Sequence, residues 1–196
     1  MGRLQPQPRH PRTERNMFFE ELNSKTRGYM LEEFRAEQLT MNPYRPRVLT
    51  PEGEAAFVGI MEAHLVGGTE ATLTLALSQS RYWVETGTRY TRRGPVSFFM
   101  PAVERARVFG LTEFNTWYVR GLCRSLMDEG ITDCVVYRAE PAYEPRGECL
   151  EIEGLALKVE DVYHGHRARY YPEDTKDPHA LSIPVGPNCH HSIRRM

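Results

Sequence analysis

The segment Thr112-Glu113-Phe114-Asn115-Thr116-Trp117-Tyr118-Val119-Arg120-Gly121-Leu122-Cys123-Arg124-Ser125-Leu126-Met127-Asp128-Glu129-Gly130, with Cys134-Val135-Val136-Tyr137 just behind it, sets the fold class. Phe114, Trp117, Tyr118, Leu122 and Leu126 recur at helical spacing, and Val119, Cys123 and Met127 widen the apolar stripe. So broad a stripe predicts the central helix of a core. Thr112 supplies an N-cap oxygen, and Gly130 stands where a left-handed backbone ends a helix. Cys134 to Tyr137, β-branched and aromatic, predicts a strand. Together they predict an α+β protein, with helices packed on a small mixed or antiparallel sheet and an extended N-terminal arm.

Upstream, Pro101 predicts a helix start, with Val103, Ala106 and Val108 behind it and Gly110 as a break before Thr112. Arg81-Tyr82-Trp83-Val84 and Arg89-Tyr90-Thr91 predict a hairpin about Glu85-Thr86-Gly87-Thr88, closed by Arg92-Arg93-Gly94-Pro95. Leu73, Leu75 and Leu77 alternate with polar or small residues, which favours a strand, although Leu73, Ala76, Leu77 and Ser80 also fit a helix. Thr50-Pro51-Glu52-Gly53-Glu54 predicts a capped helix start. Phe57, Ile60, Met61 and Leu65 form its stripe, and Gly67-Gly68 stop it after about Val66.

Residues 1–16 are rich in Pro, Gln, Arg and His, so they predict an arm with no core of its own. Met17 to Leu39 predicts one or two short amphipathic helices interrupted near Gly28, and Asn42-Pro43-Tyr44-Arg45-Pro46-Arg47 predicts a linker. The expected division is therefore an arm over 1–47 and a body over 48–196.

The 196 residues are 40% hydrophobic and 26% charged with a formal net charge of −1, the balance of a soluble globular protein without global attraction to nucleic acid or membranes. No apolar run is long enough to span a bilayer, and the basic N-terminus lacks the apolar stretch of a secretory signal. Cytosolic synthesis is the expectation. Cys123, Cys134, Cys149 and Cys189 are too few and too irregularly spaced for a disulfide-stapled secreted domain, so reduced thiols are expected. Charge is local: Arg3, Arg9, Arg12 and Arg15 face only Glu14 in the first fifteen residues, and Arg194-Arg195 stand near the other end.

Thiols and imidazoles gather in the last fifty residues. Glu148-Cys149-Leu150-Glu151-Ile152-Glu153-Gly154 reads as a turn, Leu155 to Val159 as a strand, 167–182 as a polar loop, and Ile183 to Ile193 as a closing segment. Cys149, Cys189, His190, His191, His164 and His166 could furnish a tetrahedral zinc site. No Cys-x-x-Cys is present, however, and the adjacent His190 and His191 point apart in an extended chain. Packing of the two cysteines as small apolar groups ranks ahead of the metal site, and a disulfide comes third. A Cys-His nucleophile pair is a further reading, unsupported by any nucleophile elbow, phosphate loop or zinc-protease helix. Glu151 and Glu153 read as solvated carboxylates. Arg92-Arg93, Arg194-Arg195 and the arm could contact phosphates or a partner protein, or be plain solvated surface. Tyr82, Trp83 and Tyr90 could form an interaction patch.

The order of elements over about 101–195 resembles the phage Mu F-like minor head protein family. Its members carry a helix, a strand, a Thr-Cys-x-x-Cys turn, a loop with Asp-Gly and a closing His-Pro-Asn-Cys-Arg-Cys. The matching stretches are Gly147-Glu148-Cys149-Leu150-Glu151-Ile152 with Glu153-Gly154, and Gly186-Pro187-Asn188-Cys189-His190-His191. Ile152, Gly186 and His191 depart from the pattern, so a four-cysteine cluster cannot form. The resemblance implies a virion component near the portal of a tailed-phage head, made in the host cytoplasm. Its partners would be portal, capsid or connector subunits and packaged duplex DNA. The expectation is thus a non-enzymatic structural protein within a multi-subunit assembly, with no membrane partner and with zinc possible but no cofactor assigned. The alternatives are a metal-dependent Cys/His hydrolase or nuclease-like enzyme using zinc, and a small DNA-binding module.

Overall fold

The computed structural model describes residues 16–140, 147–187 and 189–196, with backbone alone for 147–149. The first helix, α1 (Ser24–Gln38), starts at Asn23, whose side chain accepts a hydrogen bond from the Thr26 amide. α2 (Pro51–Gly67) is capped by Thr50 with Pro51 at its first position, as the sequence predicts. α3 (Glu70–Leu77) opens with a reciprocal capping box between Thr69 and Thr72. After a hairpin, β1 (Thr86–Thr91) and β2 (Gly94–Phe99), comes α4 (Ala102–Asp128), the 27-residue axis of the molecule. Its stripe of Phe114, Trp117, Tyr118, Leu122 and Leu126 is buried throughout.

The glycines of α4 are contact points. A Cβ at Gly121 would lie 2.6 Å from Met30 Cγ and 2.7 Å from the Met30 nitrogen, so α1 touches α4 backbone to backbone there. At Gly110 a Cβ would lie 2.3 Å from Thr74 Oγ1. Gly110 is therefore the seat of α3, and the helix runs straight through the expected break. Gly121→Ala is expected to destabilise the fold by about 1–3 kcal/mol despite alanine's better helix propensity, because α1 must back away. Thermal or urea unfolding measures it; an unchanged midpoint would show that α1 can shift at no cost.

Three expectations are corrected. Leu73 to Leu77 is helical: Leu73 and Leu77 are buried one turn apart while Leu75 is 75% exposed, whereas a strand would set all three on one face. α1 is one helix that passes Gly28 uninterrupted, and Met30 and Phe34 sit in the main core. The helix placed in the arm thus belongs to the body. The hairpin turns at Arg92-Arg93, one strand later than expected, and Tyr82 and Trp83 precede it as buried anchors. Trp83 Nε1 donates to the Leu77 carbonyl at 2.6 Å, so neither ring belongs to a surface patch.

Beyond α4, β3 (Asp133–Arg138) forms where the sequence predicts it. It is followed by α5 (Gly147–Ile152), β4 (Ala156–Lys158), α6 (Val159–His164) and β5 (His191–Arg195). The expected turn at Glu148 to Gly154 is instead a short helix ending at Ile152, with Gly154 left-handed after it. β3 is central, pairing antiparallel with β4 on one side and β5 on the other, and Cys134, Val136 and Ile193 lie in the core shared with α4. The fold is α+β, and its sheets are antiparallel. Residues 17–21 lie alongside: the Phe18 amide donates to the Ala139 carbonyl at 2.8 Å, and Glu20 and Glu21 pair with Arg194 and Arg195.

Candidate functional site

The densest polar cluster of the molecule surrounds Arg167, just past α6. Gly165 permits the approach, since a Cβ there would lie 1.6 Å from the Leu181 carbonyl oxygen. Arg167 then adopts φ = 59°, a conformation uncommon outside glycine, and turns its side chain inward. The guanidinium is 2% exposed. It grips both carboxylate oxygens of Glu113 on α4, donates to Glu37 of α1 at 3.2 Å and to the Tyr170 hydroxyl at 3.1 Å, and stacks over Tyr44 at 4.2 Å. Trp117 Nε1 donates to Glu113 at 2.9 Å, which locks that carboxylate. A buried charge persists only when it is paired and hydrogen-bonded, and here each one is.

His166 stands at the edge of this cluster, its ring 5.0 Å from Trp117 and its Nε2 3.4 Å from Glu37. Burial pushes its pKa down to about 4, against the pull of the Glu37 carboxylate. Burial alone would raise the Glu37 pKa, but the charge of Arg167 and the His166 contact outweigh it and hold this carboxyl below its ordinary value. Glu37 and His166, with Glu33, Thr40, Trp117 and Arg120, line a cleft of about 240 Å³. Arg120 donates to Glu33 at 2.7 Å and to the Tyr163 carbonyl at 2.7 Å, and lies 3.6 Å over the Tyr163 ring. The acids and bases of this cleft therefore neutralise one another, and the arrangement pins the 163–171 loop onto α1 and α4.

The depressed His166 pKa fixes a pH dependence. Between pH about 6.5 and about 4 the unfolded chain binds this proton and the folded one does not, so stability falls as pH falls through that window. His166→Gln is expected to flatten that part of the profile. Urea midpoints at a series of pH values measure it, and an identical slope in the variant would sink the assignment.

Of the five candidate zinc ligands whose side chains are described, Cys189 and His191 lie together, while His164, His166 and His190 each have other surroundings. His164 is exposed beside Glu160, His166 is in the cleft, and His190 Nε2 lies 3.9 Å from Glu140. His191 Nε2 lies 3.4 Å from Glu153, and its Nδ1 is 3.8 Å from the buried Cys189 sulfur. The Cys149 side chain, and with it any Cys149–Cys189 disulfide, falls outside the described residues. Among the described residues no three His, Cys, Asp or Glu side chains are grouped to hold a metal ion. Cys123 and Cys134 are buried thiols whose pKa burial pushes up, that of Cys134 to about 11, so they pack as neutral apolar groups. Glu153 also pairs with Arg138 at 2.7 Å, and Glu151 is exposed.

Of the candidate contact arginines, Arg194 and Arg195 are tied to Glu20, Glu21 and Glu129. Arg3, Arg9, Arg12 and Arg15 lie outside the described residues. Arg92 and Arg93 are exposed at the hairpin tip. β1 and β2 pair with each other and make little contact with any other element. Tyr90 is 85% exposed and Phe99 64%, while Phe98 leans over Gly87 at the root, where Arg105 lies 5.9 Å from its ring. No described helix is long and apolar enough to cross a membrane.

Sequence reading missed the Arg167 cluster. One signal was available: Tyr163, Tyr170 and Tyr171 are too many rings for a solvated loop. No protein-family model matches the chain, and no curated protein or solved structure matches it either.

Proposed function

We propose that the protein is a non-enzymatic structural component of a tailed-phage head or head–tail junction that docks on portal, capsid or connector subunits. The observation that carries the docking role is the β1–β2 hairpin, whose exposed Tyr90, Val96 and Phe99 accompany Arg89, Arg92 and Arg93. A two-stranded ribbon is marginal by itself, and large apolar side chains on such a ribbon belong under a partner. Placement in a virion is supported by the resemblance of 101–195 to the minor head family. Its order of long helix, strand, cysteine segment and closing strand corresponds to α4, β3, α5 and β5. With Arg194 and Arg195 held in ion pairs, contact with packaged duplex DNA falls to the arginines of the basic arm.

Mass spectrometry of particles from the host that carries the gene tests this reading. The expected result is the chain at a fixed ratio to the portal protein. Particles that lack it, together with a purified chain that binds neither portal nor capsid protein, would overturn the proposal.

A further inference from the structure

The 25 Lys and Arg against 26 Asp and Glu look balanced, but the balance is unevenly distributed. Residues 86–99 hold three arginines and no acid. The rest of the chain carries 22 basic against 26 acidic residues, a formal charge of −4 against the +3 of the hairpin. A chain that is nearly neutral as a whole yet divided in this way is electrostatically complementary to another copy of itself.

The hairpin carries its charge beside apolar groups. In the β1–β2 register Arg89 faces Val96 on one side of the ribbon, while Tyr90 and Phe99 lie on the other. On the body, one exposed region has the complementary make-up. β4 is an outer strand of its sheet, and among the described residues it pairs only with β3, with no strand on its other edge. Exposed Leu150 and Leu155 precede that edge with Glu151, and Glu160 and Asp161 follow it at the start of α6. The buried Val159 and Val162 turn α6 so that these two acids face solvent.

We infer that the basic hairpin of one copy docks on the acidic β4 edge of the next, Tyr90 and Phe99 covering Leu150 and Leu155 and the turn arginines Arg92 and Arg93 meeting Glu151, Glu160 and Asp161. The two surfaces are different patches of the chain, so the contact is head-to-tail and propagates into a ring or a filament. This deepens the reading of the chain as an assembly component. Self-association of the isolated protein tests it separately from binding to portal or capsid proteins.

Sedimentation of the purified chain is the test, at about 50 and about 500 mM salt, since exposed charge pairs weaken as the screening length shrinks. The expected result is a concentration-dependent oligomer at low salt that dissociates at high salt. Reversal of the hairpin (Arg92→Glu, Arg93→Glu) or of the edge (Glu151→Lys, Glu160→Lys, Asp161→Lys) should weaken association by about tenfold or more. Both reversals in one chain should restore it, a recovery that a misfolded variant could not show. A wild-type chain that stays monomeric at low salt overturns the inference, as does an oligomer indifferent to edge reversal. Salt-sensitive binding of the monomer to duplex DNA, lost on hairpin reversal, would overturn it in favour of nucleic acid as the occupant.

Discussion

Arg167→Met is expected to lower the unfolding free energy by about 3–5 kcal/mol, the usual cost of removing one partner from a buried ion pair. Methionine fills much of the same space, so the loss is electrostatic. Glu113, itself almost wholly buried, keeps only the Trp117 hydrogen bond, and Glu37 keeps only the His166 contact. Glu113→Gln in the same chain should recover part of the loss, because the amide needs no counter-charge. Urea unfolding of the single and double variants measures both. A single-variant cost below about 1 kcal/mol would mean that the 163–171 loop is merely draped over the core.

Phe34→Ala is expected to cost a comparable amount, about 3–5 kcal/mol, by opening a cavity where α1 meets α4. The Phe34 ring is fully buried, edge-on to Trp117 at 5.2 Å and tilted 6.2 Å from Phe57. This variant separates two views of the N-terminal third. If α1 were part of a detachable arm, truncating a ring on it would leave the unfolding transition of the body within about 0.5 kcal/mol of the parent. A full-sized shift places α1 in the same cooperative unit as α4.

The legible parts of the sequence were those whose local pattern and tertiary role agree. α2 has its cap, its proline and its stripe in register, β3 is a compact β-branched run, and the α4 stripe leaves no choice of face. The illegible parts were decided by contacts distant in sequence. Leu73 to Leu77 has both periodicities, and the capping box together with the seat at Gly110 selects the helix. Gly110 reads as a break but, like Gly121, serves as a close-approach point, a distinction carried by Thr74 and Met30 rather than by the glycines. Trp83 reads as a strand aromatic until its indole finds the Leu77 carbonyl. The Arg167 cluster gathers residues from four separated stretches, so no window of sequence contains it. Of the thiols and imidazoles of the last fifty residues, Cys189 and His191 meet while His164 and His166 stand elsewhere, since spacing along a chain does not measure distance across a fold.

The strip of residues 17–21 lying beside β5 has a kinetic meaning. Glu20 and Glu21 meet Arg194 and Arg195 at a sequence separation of 174, the largest among the side-chain hydrogen bonds described. Contacts of such sequence separation raise the contact order of the fold, and high contact order goes with slow folding.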